Sequence, residues 1–221
     1  MLKNLFKTAL KPREGKYSGA QSQFLAYYES KFAPLLALRA AGFREIFRRL
    51  EERCAGRAEP GLIIETGSMR VVGNWAGDGQ STVLWKEFAS VHDCEVHSVD
   101  LDPEATQVVR EECGEMVQAH TGDSVRFLYD FANSPQARQI DLLYLDSYDF
   151  NNENPFPSAF HHIKELIAVR PCLGPGSIVA IDDNFVLEEG GYTGKGYLAK
   201  QWFDHLDIPC VHQGHQFVWQ L

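Results

Sequence analysis

No apolar run in this 221-residue chain approaches the roughly 20 residues that a membrane-spanning helix needs. No cysteine pair has C-x-x-C spacing either, since the five, Cys54, Cys94, Cys113, Cys172 and Cys210, are odd in number and widely scattered. That pattern excludes a zinc ribbon and a disulfide framework and reads as free thiols in a reducing compartment, so a cytoplasmic location is expected. Positive charge is scarce. Against 30 Asp+Glu stand 21 Lys+Arg, a formal net charge of −9, which argues against a nucleic-acid binder held by phosphate contacts. No repeat array is visible. What remains, 44% hydrophobic and 23% charged residues, is the composition of an ordinary globular chain, of a length that favours one large domain or one domain with an appendage.

The charge is unevenly distributed. Residues 1–57 hold 12 Lys+Arg and 5 Asp+Glu, or +7, and residues 58–221 hold 9 and 25, or −16. Two regions are expected: a basic helical prefix over 1–57 and an acidic domain over 58–221. The first 13 residues, MLKNLFKTALKPR, carry four cations and no acid, with apolar runs too short for a signal peptide. A targeting or membrane-surface role for this arm stays open. From residue 21 to 57 the apolar residues, Phe24, Tyr28, Phe32, Phe43, Phe47 and Leu50 among them, recur at three- and four-residue steps, which predicts helix broken near Pro34 and Gly42. The aromatic stripe either covers a site or is core.

From Gly61 onward short apolar runs alternate with helical patterns. Strands are predicted at 62–64, 95–99, 116–120, 140–145 and 177–181, with helices at 81–89, 103–113, 124–131 and 158–170 between them. The alternation means β-α-β units, hence an α/β, doubly wound, mostly parallel sheet. Two further strands, 210–213 and 216–221, are separated only by Gly214 and His215 and form an antiparallel C-terminal hairpin, for seven strands in all.

In such a sheet, ligands bind outside the carboxyl ends of the strands. Those ends are acidic here. They read Glu65-Thr66-Gly67-Ser68, Asp100-Leu101-Asp102, Gly122-Asp123-Ser124, Asp146-Ser147-Tyr148-Asp149 and Asp182-Asp183-Asn184. A crevice ringed by carboxylates repels phosphates and favours a metal or an organic cation. Against this stands Gly77-x-Gly79-x-x-Thr82 with Asp100 about twenty residues on, a partial dinucleotide fingerprint that keeps an NAD(P)-dependent oxidoreductase open. Tyr27 and Lys31 have dehydrogenase spacing but precede the first strand. Gly194-Lys195-Gly196 is no phosphate loop, lacking a following Ser or Thr, and is read as a flexible loop.

The order Glu65-x-Gly67, Asp100, Gly122-x-Ser124 and an aspartate after the fourth strand resembles the class I S-adenosylmethionine-dependent methyltransferases, whose sheet is Rossmann-like. Asp146 in LLYLDSYDF with Asp183-Asn184 in IVAIDDNF resembles more narrowly the metal-dependent O-methyltransferases of the catechol, caffeoyl-CoA, sugar and macrolide types. The resemblance implies that Glu65, Gly67 and Ser68 line the methionine end of S-adenosylmethionine. It implies also that Asp100 and Leu101 meet the ribose, that Asp123 and Ser124 flank the adenine, and that Asp146 borders the cofactor. It further implies that Asp146, Asp183 and Asn184 hold a divalent ion such as Mg2+, with Asp182 a ligand or a supporting partner, to activate a hydroxyl of a small molecule or sugar. Where the catechol type has a lysine three positions after the first metal aspartate, this chain has Asp149, either the general base or a helix cap. His161 and His162 are further candidates, with a packed or capping role favoured for His162. Met69 to Asp78, containing Trp75, reads as an insertion in the glycine loop. A non-catalytic binding module, with the prefix as a docking arm, also stays open, as does oligomeric state, a homodimer among the options.

Overall fold

All six residues of the first strand, β1 (Gly61–Thr66), are buried, because further strands flank it and helices cover both of its faces. The computed structural model describes residues 23–188 and 190–221. The basic arm MLKNLFKTALKPR lies outside them. Strands β2 (Cys94–Asp100), β3 (Gln118–Thr121), β4 (Leu142–Leu145) and β5 (Ile178–Ile181) run parallel to β1, and β9 (Phe217–Gln220) pairs antiparallel with β5 and with β8 (Cys210–Gln213). The seven-stranded order is β3-β2-β1-β4-β5-β9-β8. The expected α/β sheet with its C-terminal hairpin is therefore present.

Alternation along the strands sends side chains to two cores. Ile63, Leu142, Tyr144, Ile178 and Val218 face the layer made by helices α1 (Gln23–Lys31), α2 (Ala40–Cys54), α3 (Ser81–Ala89) and α4 (Pro103–Cys113). Their neighbours Leu62, Ile64, Leu143, Leu145, Val179 and Trp219 face α5 (Ser124–Ala132), α6 (Phe156–Val169) and α7 (Tyr197–His205). The aromatic stripe of the prefix is core: Phe43 stacks on Tyr144 at 5.6 Å, and Phe47 lies 5.5 Å from Trp85 and 5.7 Å from Phe88. One apolar cluster thus runs across residue 57, where the charge changes.

Two local expectations change. The prefix does break at Pro34, in two short 3₁₀ turns, but Gly42 lies inside α2. Its missing side chain admits Gln216, since a Cβ there would stand 2.0 Å from Gln216 Oε1 and 2.9 Å from Gln216 Cβ. The glycine serves packing, and helix geometry tolerates it. The stretch after β5 holds a two-stranded antiparallel ribbon, β6 (Asn184–Val186) with β7 (Tyr192–Gly194), and then α7, neither of which the sequence pattern announces. No helix among the described residues is long and apolar enough to cross a membrane.

Gln216 is buried and donates from Nε2 to the Tyr144 hydroxyl at 2.7 Å, so it cannot swing aside freely. Gly42→Ala, which helix propensity alone would favour by about 1 kcal/mol, is therefore expected to lower stability by about 1–3 kcal/mol through overpacking. Urea unfolding with fluorescence detection checks the sign.

Candidate functional site

The sheet order changes direction between β1 and β4, and the carboxyl ends of both, with those of β2, β3 and β5, open onto a cavity of about 490 Å³. That is the position where open α/β sheets bind ligands, and the size suits a cofactor. Gly67, Ser68, Asp100, Leu101, Asp123 and Ser124 line it, and so do Asp146, Asp149 and Asp183. Glu65 and Asn184 do not.

On the β1–β3 side the geometry is built around backbone contacts. Gly67 has φ +83° and sits so close to β4 that a Cβ would lie 2.6 Å from the Asp146 carbonyl carbon; only glycine lets the two strand ends meet. Asp100 accepts from the Ser68 amide and from the Asp102 amide, both at 2.8 Å, which fixes its carboxylate at the rim with lone pairs to spare. Leu101 is exposed beside it. Asp123 caps α5 by accepting from the Arg126 amide at 2.8 Å.

Glu65 departs from the expected role. Its carboxyl is fully buried beneath the cavity floor and accepts from Ser81 Oγ, Thr82 Oγ1 at 2.6 Å, Trp85 Nε1 at 3.0 Å and Ser98 Oγ at 2.7 Å. Burial raises its pKa, and the four donors oppose that. With Ser98 also meeting Ser68 Oγ at 2.8 Å, Glu65 reaches the cavity wall through hydroxyls.

Asp146, Asp182 and Asp183 gather at the ends of β4 and β5, but protein cations already stand among them. Lys195, only 2% exposed, places Nζ 2.6 Å from Asp146 Oδ1, 3.0 Å from the Asp146 carbonyl and 3.0 Å from Asp183 Oδ2. Arg39, from the prefix, donates from Nε to Asp182 Oδ2 at 2.6 Å and from an Nη to Asp183 Oδ1 at 3.1 Å. His215 Nε2 lies 3.2 Å from Asp183 Oδ1 and 3.8 Å from Asp182 Oδ1, an oxygen with no hydrogen-bond partner. Burial raises the Asp146 pKa, reinforced by the other two carboxylates and opposed by Lys195. Asp183 is affected oppositely: burial would raise it, but His215, Lys195 and Arg39 together hold it well below the usual range.

Asn184 is not available to a metal. Its Nδ2 donates to the Ile181 carbonyl at 2.7 Å and the Asp182 carbonyl at 3.1 Å, and its Oδ1 accepts from the Gly196 amide at 2.7 Å. Asp182, Asp183 and His215 bring one ligand atom each within 4.8 Å of one another, yet Arg39 contacts both carboxylates. Three carboxylates facing one ammonium and one guanidinium carry a formal charge of −1, so the donor set does not fit a divalent ion without displacing a cation.

The remaining candidates separate by exposure. Asp149 has an 83% exposed side chain 3.3 Å from Arg70 Nη1; α6 begins at Phe156, so Asp149 caps no helix. His161 lines the cavity and meets Ser124 Oγ at 2.9 Å. His162 is fully buried, with Nδ1 2.6 Å from the Ser158 carbonyl, a packed histidine whose pKa burial pushes down to about 4. The glycine fingerprint is not a tight strand-to-helix turn. Residues 67–80 separate β1 from α3, and Gly79 (φ +69°) admits Arg39, whose Cδ would lie 2.8 Å from a Cβ there.

Fold and crevice together are those of a class I methyltransferase. The model of a methyltransferase domain family matches residues 75–184, about half of the chain, and the chain belongs to the S-adenosylmethionine-dependent methyltransferases. Among solved structures it is similar to CalS11, a TDP-rhamnose 3'-O-methyltransferase of calicheamicin biosynthesis (17% identity, 92% of this chain and 88% of that one, TM-score 0.53). It is also similar to MycE of the mycinamycin pathway, in complex with Mg and SAH (15% identity, 84% of this chain and 54% of that one, TM-score 0.54). At these identities the likeness is one of fold, and the chain spans about half of MycE. No curated protein matches it in sequence.

Arg39→Met leaves the 1% exposed Asp182 without its guanidinium and is expected to cost about 3–5 kcal/mol. Chemical denaturation measures it, and Arg39→Met with Asp182→Asn should recover part of the loss. His162 accepts a proton in the unfolded chain near pH 6.5 but in the folded one only near 4. Falling pH therefore favours unfolding across that window, and His162→Phe is expected to flatten the stability profile between pH 6.5 and 4.

Proposed function

We propose that the chain transfers the methyl group of S-adenosylmethionine to a hydroxyl oxygen of a small molecule or sugar. The observation that carries this reading is the cavity where the sheet order reverses, with the backbone-fixed carboxylate of Asp100 on one wall and an unobstructed Gly67–Ser68 turn beside it. The cofactor supplies an electrophilic methyl carbon on a sulfonium. Asp100 offers two acceptor oxygens to a ribose diol, Asp123 and Ser124 offer polar edges to a purine, and the Ser68 turn holds the chain close to the sulfonium side. An acceptor oxygen attacking the methyl carbon breaks the carbon–sulfur bond and must release its proton. Asp149 and His161 are the proton acceptors that line the cavity within reach of solvent. The protein's main contribution is alignment, which converts a bimolecular displacement into an effectively unimolecular one.

The likeness to CalS11, a 3'-O-methyltransferase, supports a hydroxyl acceptor, and the absence of a tight glycine turn at Gly77 and Gly79 speaks against NAD. The metal-assisted variant is not supported, because the carboxylates it requires are paired within the protein.

Calorimetry with S-adenosylhomocysteine tests the reading. Wild type should bind it more tightly than NAD, and Asp100→Asn, which also takes the acceptor from one of two backbone amides and so is compared at a temperature where both proteins are folded, should weaken binding about 10- to 100-fold. No binding at millimolar ligand, or tighter binding of NAD, overturns it.

A further inference from the structure

We propose that the ε-ammonium of Lys195 is the resident cation of the acidic end of the crevice, and that the chain binds no divalent ion between Asp146 and Asp183. The inference rests on the methyltransferase reading for the identity of the crevice, but its own evidence is local.

The first part of that evidence is saturation. A lysine ammonium has three N–H donors, and Lys195 donates to Asp146 Oδ1 at 2.6 Å and to the Asp146 carbonyl at 3.0 Å while forming an ion pair with Asp183 Oδ2 at 3.0 Å. Those contacts suit an ammonium. A magnesium ion in the same place demands oxygens at roughly 2.0–2.1 Å, so both carboxylates would have to close in and Lys195 would have to leave. The side chain is only 2% exposed where it meets the cavity wall, and moving it away would cost all three contacts.

The second part is that the surrounding backbone is built to hold the lysine there. Gly194 has φ +125°, and a Cβ on it would lie 2.3 Å from the Asp183 carbonyl oxygen; a Cβ on Gly196 would lie 2.7 Å from Asn184 Oδ1. Glycines let the chain on either side of Lys195 approach this closely, Gly194 against the Asp183–Asn184 backbone and Gly196 against the Asn184 side chain. Two hydrogen bonds clamp it: Lys195 N to the Asp183 carbonyl at 3.2 Å and Gly196 N to Asn184 Oδ1 at 2.7 Å. The β6–β7 ribbon, pairing Asn184 with Gly194, sets the register. Asn184, expected as a metal ligand, thus spends its carboxamide fixing the segment that carries the substitute cation.

The third part is electrostatic. Arg39 already lies on Asp182 and Asp183 from the opposite element, so an incoming divalent ion would meet two monovalent cations in a buried site where like charges repel strongly. Lys195 is therefore a positioning residue. It joins the ends of β4 and β5 and presents a fixed positive charge to the crevice, leaving proton removal to other groups.

The test is a Mn2+ titration followed by the electron paramagnetic resonance of free Mn2+, on the full chain saturated with S-adenosylhomocysteine. Wild type should show no saturable binding at millimolar MnCl2. Lys195→Ala, which frees Asp146 and Asp183, should gain one saturable site, and Lys195→Ala with Asp183→Asn should lose it again. Stoichiometric Mn2+ binding by wild type that Asp183→Asn abolishes would overturn the proposal without any lysine variant. So would a folded Lys195→Ala that gains nothing. The S-adenosylhomocysteine calorimetry is read separately, so failure of the methyltransferase reading leaves the Mn2+ result interpretable.

Discussion

The cluster of Asp146, Asp182 and Asp183 with Arg39 and Lys195 is the constraint on which the crevice depends. Three carboxylates at the ends of two adjacent parallel strands would repel one another severely in a buried position, and a strand-end geometry that places them there needs cations of comparable burial. The two that supply this come from opposite ends of the chain. Arg39 belongs to the 3₁₀ turn before α2, and Lys195 to the turn after β7. The prefix is thereby tied to the end of β5 and the late ribbon to the ends of both β4 and β5, with Asp183 shared between them.

The same logic explains the charge split along the chain. At the opposite, amino end of β4, Asp141 is fully buried; it accepts from the Leu62 amide at 2.9 Å, and its other oxygen meets Arg53 at 2.5 Å and Arg57 at 2.6 Å, both from the prefix. The basic segment therefore faces the acidic domain at the amino end of β4 and at the carboxyl end of its neighbour β5, with Phe43 and Phe47 packed in the core beside them. Three of its arginines, Arg39, Arg53 and Arg57, are paired in this way with carboxylates of the acidic domain. A cation paired with a buried carboxylate does more for the fold than a surface pair, because removing either partner strands the other.

What was legible in the sequence follows from what periodicity encodes. The parallel strands are buried on both faces and so appear as continuous runs such as Leu142–Leu145, and the helices between them keep their amphipathic spacing. Asp100 and Asp123 were legible because they close or follow such runs. The ribbon β6–β7 was not: three-residue strands have no periodicity, and Phe185 and Val186 are exposed. Gly42 misled because a helix breaker and a close-packing glycine are the same letter, and the difference lies in Gln216, 174 residues away. His215 was hidden likewise, a turn residue by local pattern and a carboxylate partner in space.

Lys195 shows the limit most clearly. Gly-Lys-Gly has the composition of a mobile loop, and nothing within five residues says otherwise. The structure uses the same glycines for the opposite purpose, Gly194 for its positive φ and its contact with the Asp183–Asn184 backbone, and Gly196 for its contact with the Asn184 side chain. Asn184 belongs to the same inversion, since the amide expected to bind an ion instead holds the Gly196 amide. Strand-end aspartates that resemble a metal-dependent pattern can therefore set the geometry of a crevice while the chain's own Lys195 and Arg39 balance their charge. The aspartates still set the shape of the strand ends, and the cation that completes them is supplied by the chain itself, from a position that no spacing rule within the motif would identify.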